Sequence, residues 1–291
     1  MKVRFPLNDV VVHRVNLTRK VVDPLYSDNY WQMNQNEFAM QVEGVAEFYA
    51  RDGSYVEYAP ADGAGNNEVE LYLNGSVYGA ILHQRKILPL HGSSFRYNGQ
   101  TIMVCGDAGA GKSSLTASFC LNGAEFLTDD VTPVIFREGK PFIWSLSDRI
   151  KLWLDTLDQF GRGHHGLERI YPGTDKFFFP IKNRGIVTSA LSLIFLIEIK
   201  EVTEVIIDEI TGPDKFATVR GEIYRSEYLQ GMPDNNTVYF RNIVDICKDV
   251  KVLRVERSSG TGITSLKNTI EVILETELCH ERYGRSIRKV L

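Results

Sequence analysis

Thr101-Ile-Met-Val-Cys105, Gly106-Asp-Ala-Gly-Ala-Gly-Lys-Ser113 and Ser114-Leu-Thr-Ala-Ser-Phe-Cys-Leu121 follow one another without a break, and their reading decides the fold. An apolar run enters a glycine-rich loop, and a helical pattern leaves it with Leu115 and Phe119 one turn apart on a single face. The loop matches GxxxxGK[ST]. Its glycines let the backbone curl into a nest of N–H groups aimed at phosphate oxygens. The helix that begins near Lys112 adds the positive end of its dipole. Lys112 brings a compact charge to the β- and γ-phosphates, and the Ser113 hydroxyl is a ligand for Mg²⁺. Gly106, Asp107, Ala108, Gly109, Ala110, Gly111, Lys112, Ser113 and Ser114 are the expected nucleotide-binding residues, with ATP and Mg²⁺ as cofactors.

Outward from the loop, Ser94–Tyr97 and Thr101–Val104 flank Asn98-Gly99, a strong hairpin signal. Downstream, strands are expected at Glu125–Thr128, Thr132–Phe136, Phe142–Trp144, Phe177–Ile181, Leu191–Ile199 and Val250–Val255. Helices are expected at Leu152–Phe160, Lys215–Leu229, Val238–Cys247 and Ile263–Leu278. Upstream the pattern is mostly β, with strands at Val42–Tyr49 and Val69–Leu73 and a short helix over Ile81–Leu88. The expected fold is α/β: a P-loop core over 89–291 with a mixed sheet and flanking helices, preceded by a smaller β-rich region over 1–88.

Asp129-Asp130 ends the first strand beyond the loop helix. One carboxylate there can hold Mg²⁺, and a second can take the proton from an attacking hydroxyl. Adjacent side chains on extended backbone point to opposite sides, so the two face different things. A polar strand end with Asp in a turn is the plainer alternative.

Leu88-Pro-Leu-His91-Gly92, the hairpin, the loop, its helix and Thr128-Asp129-Asp130 together resemble the C-terminal catalytic domain of HPr kinase/phosphorylase. The resemblance is closer to the HPr-kinase-like proteins of bacterial biosynthetic clusters for ribosomally made peptides, lasso peptides among them. Arg149-Ile-Lys-Leu-Trp-Leu-Asp-Thr-Leu157 is also similar to that group, although Leu154 stands where proline is common. The resemblance implies a P-loop core of HPr-kinase type and phosphoryl transfer to a serine-type hydroxyl, on a peptide or a small molecule. It implies Asp129 as catalytic base near His91, and Ser113 and Asp130 near Mg²⁺. His91 would then orient Asp129 or sense pH, with a pKa raised by the neighbouring carboxylates; read without the family, it is a structural histidine at a turn. Lys151 and Lys176 are candidate phosphate contacts, and Asp155 a candidate for the metal shell. The glycine-rich segment that the family carries after its acidic pair has no good match, Gly161-Arg-Gly163 being the nearest, which puts a reverse phosphorylase reaction and HPr as substrate in question. The rival class is a nucleotide-driven ATPase or switch that assists a partner enzyme.

The net charge of −4 gives no footprint for nucleic acid. A basic segment over 280–289 reads as a solvated terminus or as a surface for an acidic partner. Four widely spaced cysteines form no CxxC pair, which fits reduced thiols in the cytosol. Met1 to Asp9 lacks the apolar centre of a signal peptide, and no apolar run reaches the roughly 18 residues of a bilayer span. A cytoplasmic protein without membrane or nucleic-acid partner is expected, with oligomerisation left open.

Overall fold

Phe38 and Met40, Phe48 and Ala50, and Val56 and Tyr58 are pairs two residues apart, so each pair points to one side of an extended chain. In the computed structural model, which describes residues 3–181 and 185–283 (277–283 by backbone alone), those pairs become direct cross-strand neighbours and all six residues are buried. The strands are β1 (Val11–Arg14), β2 (Tyr26–Ser27), β3 (Trp31–Met33), β4 (Glu37–Val42), β5 (Ala46–Arg51) and β6 (Tyr55–Pro60). They form a six-stranded sheet in the order β1-β6-β5-β4-β3-β2, antiparallel except for the parallel β1–β6 pair. The run from Val42 to Tyr49 is therefore not one strand: Gly44, at φ 71°, turns the chain between β4 and β5.

Val69–Leu73 is not a strand either. It lies in α1 (Asn66–Tyr72), which passes through a π turn (Leu73–Val77) into α2 (Tyr78–Gln84). Glu68 caps the start by accepting the Gly65 N–H at 2.9 Å. Val69, Leu73, Val77 and Ile81 recur every four residues and are buried against the first sheet. The helix expected over Ile81–Leu88 is the end of α2, and Leu88 already belongs to the next strand.

The P-loop half is built on β7 (Leu88–His91), β8 (Ser93–Tyr97), β9 (Gln100–Gly106), α3 (Lys112–Leu121), β10 (Glu125–Thr128), β11 (Val131–Arg137) and β12 (Lys140–Trp144). It continues through β13 (Arg149–Trp153), α4 (Leu154–Gln159), β14 (Glu168–Arg169), β15 (Lys176–Pro180), β16 (Thr188–Ile199) and β17 (Ile206–Glu209). It ends with α5 (Gly212–Gly221), a 3₁₀ turn (Ser226–Gln230), α6 (Asn235–Asp249), β18 (Lys251–Arg257) and α7 (Ile263–Tyr283). The nine-stranded sheet is mixed. β16 runs parallel to β9 and β18 along its second half and antiparallel to β12 at its start. A small sheet, β13-β15-β14, lies beside it.

Residues 102–105 of β9 are an unbroken apolar run because both faces of the strand are covered. Ile102 and Val104 pack with α3 and α7 through Leu115, Phe119, Leu266 and Ile270. Met103 and Cys105 pack on the other side with Tyr239, Ile243 and Ile246 of α6. The single helix expected over Lys215–Leu229 breaks after Gly221, and Glu222–Arg225 runs along β7 instead, with Tyr224 N–H donating to Pro89 O at 2.9 Å. Among the described residues no helix is long and apolar enough to cross a membrane. The basic segment over 280–289 lies outside the residues whose side chains are described.

Candidate active site

Gly106 ends β9 with φ 128°, and a Cβ there would stand 2.2 Å from Ile197 O, so only glycine lets the loop leave the sheet at this point. Gly109 and Gly111 also take positive φ, and Gly111 caps α3. Asp107 and Ala108 form the exposed tip, while Ala110 is buried. Lys112 Nζ folds back over the loop, donating to Gly106 O at 2.7 Å and Asp107 O at 3.1 Å. The nest, the helix end and a lysine held above them make a phosphate cradle. The Ser114 hydroxyl is turned away from it, 3.0 Å from Thr156 Oγ1 at the start of α4.

The acidic pair splits its duties. Ser113 Oγ donates to Asp129 Oδ1 at 2.7 Å, and the Lys151 backbone N–H donates to Asp129 Oδ2 at 2.8 Å. Asp130 takes φ 71°, which swings its side chain out of the strand direction. It meets Lys151 Nζ at 2.6 Å through Oδ2 and His91 Nε2 at 3.8 Å through Oδ1. The structure thus brings Ser113 together with Asp129, where the resemblance placed it with Asp130. The left-handed turn at Asp130 is the physical reason. Asp155 lies in the first turn of α4, where its Oδ1 accepts the Thr156 N–H at 2.7 Å.

Electrostatics follow from burial and this cluster. Burial pushes Asp129 up, and the charge of Asp130 adds to the push, against hydrogen bonds from Lys151 and Ser113. Burial acts on Asp130 too, but the Lys151 ammonium outweighs it and holds the carboxyl well below the usual range. Lys151 is itself desolvated by burial, yet Asp130 raises it above the ordinary lysine value. His91 departs from expectation. Burial and then Lys112 lower its pKa, and the Asp130 charge only partly offsets them. Lys176, packed over the Trp153 ring at 5.3 Å, is lowered by burial and feels both aspartates.

The donor set fits a hard divalent cation. Ser113 Oγ and Asp129 Oδ1 are oxygen ligands set beside the phosphate cradle. Among the described residues no three His, Cys, Asp or Glu side chains converge as a metal cage. Mg²⁺ sites commonly pair one or two carboxylates with substrate phosphates.

On the far side of the acidic pair opens a cleft of about 1170 Å³. Asp129, Asp130 and Lys151 line its inner end; the N-terminal arm from Val3 to Arg14, Asn74, Tyr78 and Ser145–Arg149 form its walls. No residue of the 106–114 loop lines it. Among the described residues, the Ser113–Asp129 hydrogen bond ties the phosphate cradle to the cleft lining.

Three features escaped the sequence reading. Arg257, at the end of β18, aims its guanidinium at the loop: Nε and Nη2 donate to Ala110 O at 3.1 and 2.9 Å. Glu222 follows α5 and is raised by burial beside Lys112 and the Gly106 N–H, a carboxyl at the phosphate end. Beneath the acidic pair, Ser94 Oγ, Thr128 Oγ1 and Thr132 Oγ1 are linked at 2.6 Å each, and Thr132 donates to Gly92 O at 3.0 Å. Only the last had a local signal, hydroxyl residues at core positions of strands. Arg257 and Glu222 lie more than a hundred residues from the loop, and only the parallel pairing of β16 with β9 and β18 brings Arg257 home.

No family model and no curated protein matches the chain. Among solved structures it is similar to the Hpr(Ser) kinase/phosphatase from Coxiella burnetii, at 10% sequence identity and a TM-score of 0.36, over 67% of this chain and 98% of that one.

Proposed function

We propose that the protein is an ATP- and Mg²⁺-dependent phosphotransferase that moves the γ-phosphoryl group to a serine-type hydroxyl, on a peptide or on a small molecule. One observation carries the reading. Two adjacent carboxylates have different partners, Asp129 the Ser113 hydroxyl of the phosphate loop and Asp130 the Lys151 ammonium, and both line a cleft large enough for an acceptor.

Asp129 and Ser113 would hold Mg²⁺, which would neutralise charge on the transferring phosphate. The loop N–H groups and Lys112 fix the phosphate tail. An acceptor hydroxyl in the cleft presents its oxygen to the γ-phosphorus. The new O–P bond forms as the bond to the β–γ bridging oxygen breaks, ADP departs with that oxygen, and the hydroxyl proton passes to Asp130. Lys151, bonded to Asp130 at 2.6 Å, aims that carboxylate. His91 Nε2 stands 3.8 Å from the other Asp130 oxygen.

The test is incubation with ATP, Mg²⁺ and a panel of hydroxyl-bearing peptides and small molecules, read by mass. A product heavier by one phosphoryl group, lost in Asp130→Asn, is expected. Glu222 favours a second reading, nucleotide hydrolysis, because a buried carboxyl beside Lys112 can orient a water. Phosphate release with no phosphorylated acceptor, abolished by Glu222→Gln and retained in Asp130→Asn, would select it.

A further inference from the structure

The small sheet beside the aspartates has two unlike faces. Alternation along β13 and its register with β15 put Ile150, Leu152, Phe177 and Phe179 on one side, packed with Ala117 of α3 and Phe126 of β10. Arg149, Lys151, Trp153, Lys176 and Phe178 share the other side. Arg149 stacks over Phe178 and reaches Glu70, and Lys151 is bonded to Asp130. Lys176 is the third cation of that face, and it has no ion pair among the described residues. Its ammonium lies over the ring of Trp153, its direct cross-strand neighbour, at 5.3 Å. The backbone there is tied on both sides: Leu154 N–H donates to Asp175 O at 2.8 Å and Ile170 N–H to Lys176 O at 3.0 Å. A ring holds an ammonium in place without neutralising it, as a carboxylate partner would.

The position of that ammonium says what it serves. Burial weighs on it first, and of the charges that act on it Asp129 is the strongest, ahead of Lys151, Asp130 and Lys112. Yet the hydrogen bonds to Asp129 come from Ser113 Oγ at 2.7 Å and the Lys151 N–H at 2.8 Å, and none comes from Lys176. Arg149 and Lys151 of the same sheet face line the acceptor cleft, whereas Lys176 does not. The ammonium therefore stands on the phosphate side of the aspartates, where Lys112 also is.

We infer that Lys176 is a catalytic residue whose ammonium bonds the non-bridging oxygens of the γ-phosphoryl group while that group leaves ADP, with Trp153 as its positioning residue. The inference rests on the reading of this site as one that moves a γ-phosphoryl group. Transfer spreads negative charge over the equatorial oxygens of that group, and a cation fixed beforehand meets the charge without reorganising. As the bond to the β–γ bridging oxygen breaks and the O–P bond to the acceptor forms, Lys176 gives up no proton and stays an ammonium. Lys112 holds the phosphate tail throughout; Lys176 acts on the group in flight.

The probe is aluminium fluoride, whose complex with ADP and Mg²⁺ imitates a phosphoryl group midway in transfer. ADP with Mg²⁺ is titrated into the full chain by calorimetry, with and without the fluoride. The wild type should bind ADP about tenfold more tightly, or better, with fluoride present, the scale of a charge-assisted bond. Lys176→Met keeps an unbranched stem against Trp153; it should cut that gain to about twofold or less, with the affinity for ADP alone and Tm unchanged. Lys176→Arg should recover part of the gain, and Trp153→Leu should lower it severalfold, since it removes the ring that places the ammonium. No gain in the wild type, a full gain in Lys176→Met, or an equal loss of ADP affinity with and without fluoride overturns the inference. So does a Tm lower by several degrees in Lys176→Met with nothing recovered by Lys176→Arg, the mark of a lysine that only supports the sheet. A gain that depends on Lys176, with no acceptor ever phosphorylated, would uphold this inference and remove the transferase reading. Phosphorylation of an acceptor by Lys176→Met at the wild-type rate would do the reverse.

Discussion

Asp129 and Asp130 are neighbours whose backbone angles give them different work, and substitution should separate them. Asp130→Asn is expected to lower phosphoryl transfer by about 10²-fold or more, the scale of a lost general base, while ATP affinity is retained. Asp129→Asn should weaken Mg²⁺-dependent nucleotide binding first, as titration of ATP with and without Mg²⁺ will report. Equal losses in both variants and both measurements would mean the two carboxylates act as one unit. The His91 imidazole gives a second test. It is held below the ordinary value of about 6.5 by burial and by Lys112, so removing that positive charge must raise its pKa, and removing the Asp130 charge must lower it. NMR titration of Lys112→Ala and Asp130→Asn should move the midpoint in opposite directions. At this scale the sequence was informative where chemistry is local. The loop residues and both aspartates stand together in 106–130, but the exchange of their partners was not legible, because it turns on the φ 71° of a non-glycine residue that no residue type announces.

The phosphate loop depends on elements far from it in sequence. Arg257 holds the Ala110 carbonyl, just before Gly111 and Lys112, through two guanidinium bonds. Arg257→Ala should raise the KM for ATP by about tenfold or more, given buried charge-assisted bonds, with kcat for bound nucleotide changed less; Arg257→Lys should restore only part, since one ammonium cannot replace the fork. Gly106→Ala places a methyl against Ile197 O at a φ that suits glycine, a strain of about 1–3 kcal/mol that a thermal melt should register as a fall of several degrees. Helix and strand identity were legible where periodicity and capping agreed, as at the Asn98-Gly99 hairpin, β10 and β16. They were not at Val69–Leu73. There the β-favouring composition concealed a helix whose evidence was the Gly65–Glu68 cap and a four-residue spacing extending to Ile81.

At the scale of the whole molecule, His83 joins the two halves. It is fully buried on α2, its Nε2 lies 2.9 Å from Tyr224 O and its Nδ1 3.1 Å from Tyr239 Oη, and Asn235 donates to its carbonyl at 2.9 Å. Burial pushes its pKa down to about 4. Between that value and the unfolded value near 6.5 the unfolded chain binds the proton and the folded chain refuses it, so stability falls as pH drops through this window, by roughly 3 kcal/mol across it. Acid melts of the wild type and of His83→Gln should diverge there, the variant losing that part of the slope. Nothing in the sequence marked His83 as a hinge pin, because its partners lie about 150 residues away. The placement of the cleft has a kinetic corollary. Its lining excludes the 106–114 loop, so donor and acceptor occupy adjoining spaces joined at the Ser113–Asp129 hydrogen bond. Turnover should then run through a ternary complex loaded in either order, with intersecting double-reciprocal plots, and an inert acceptor mimic should inhibit without competing against ATP.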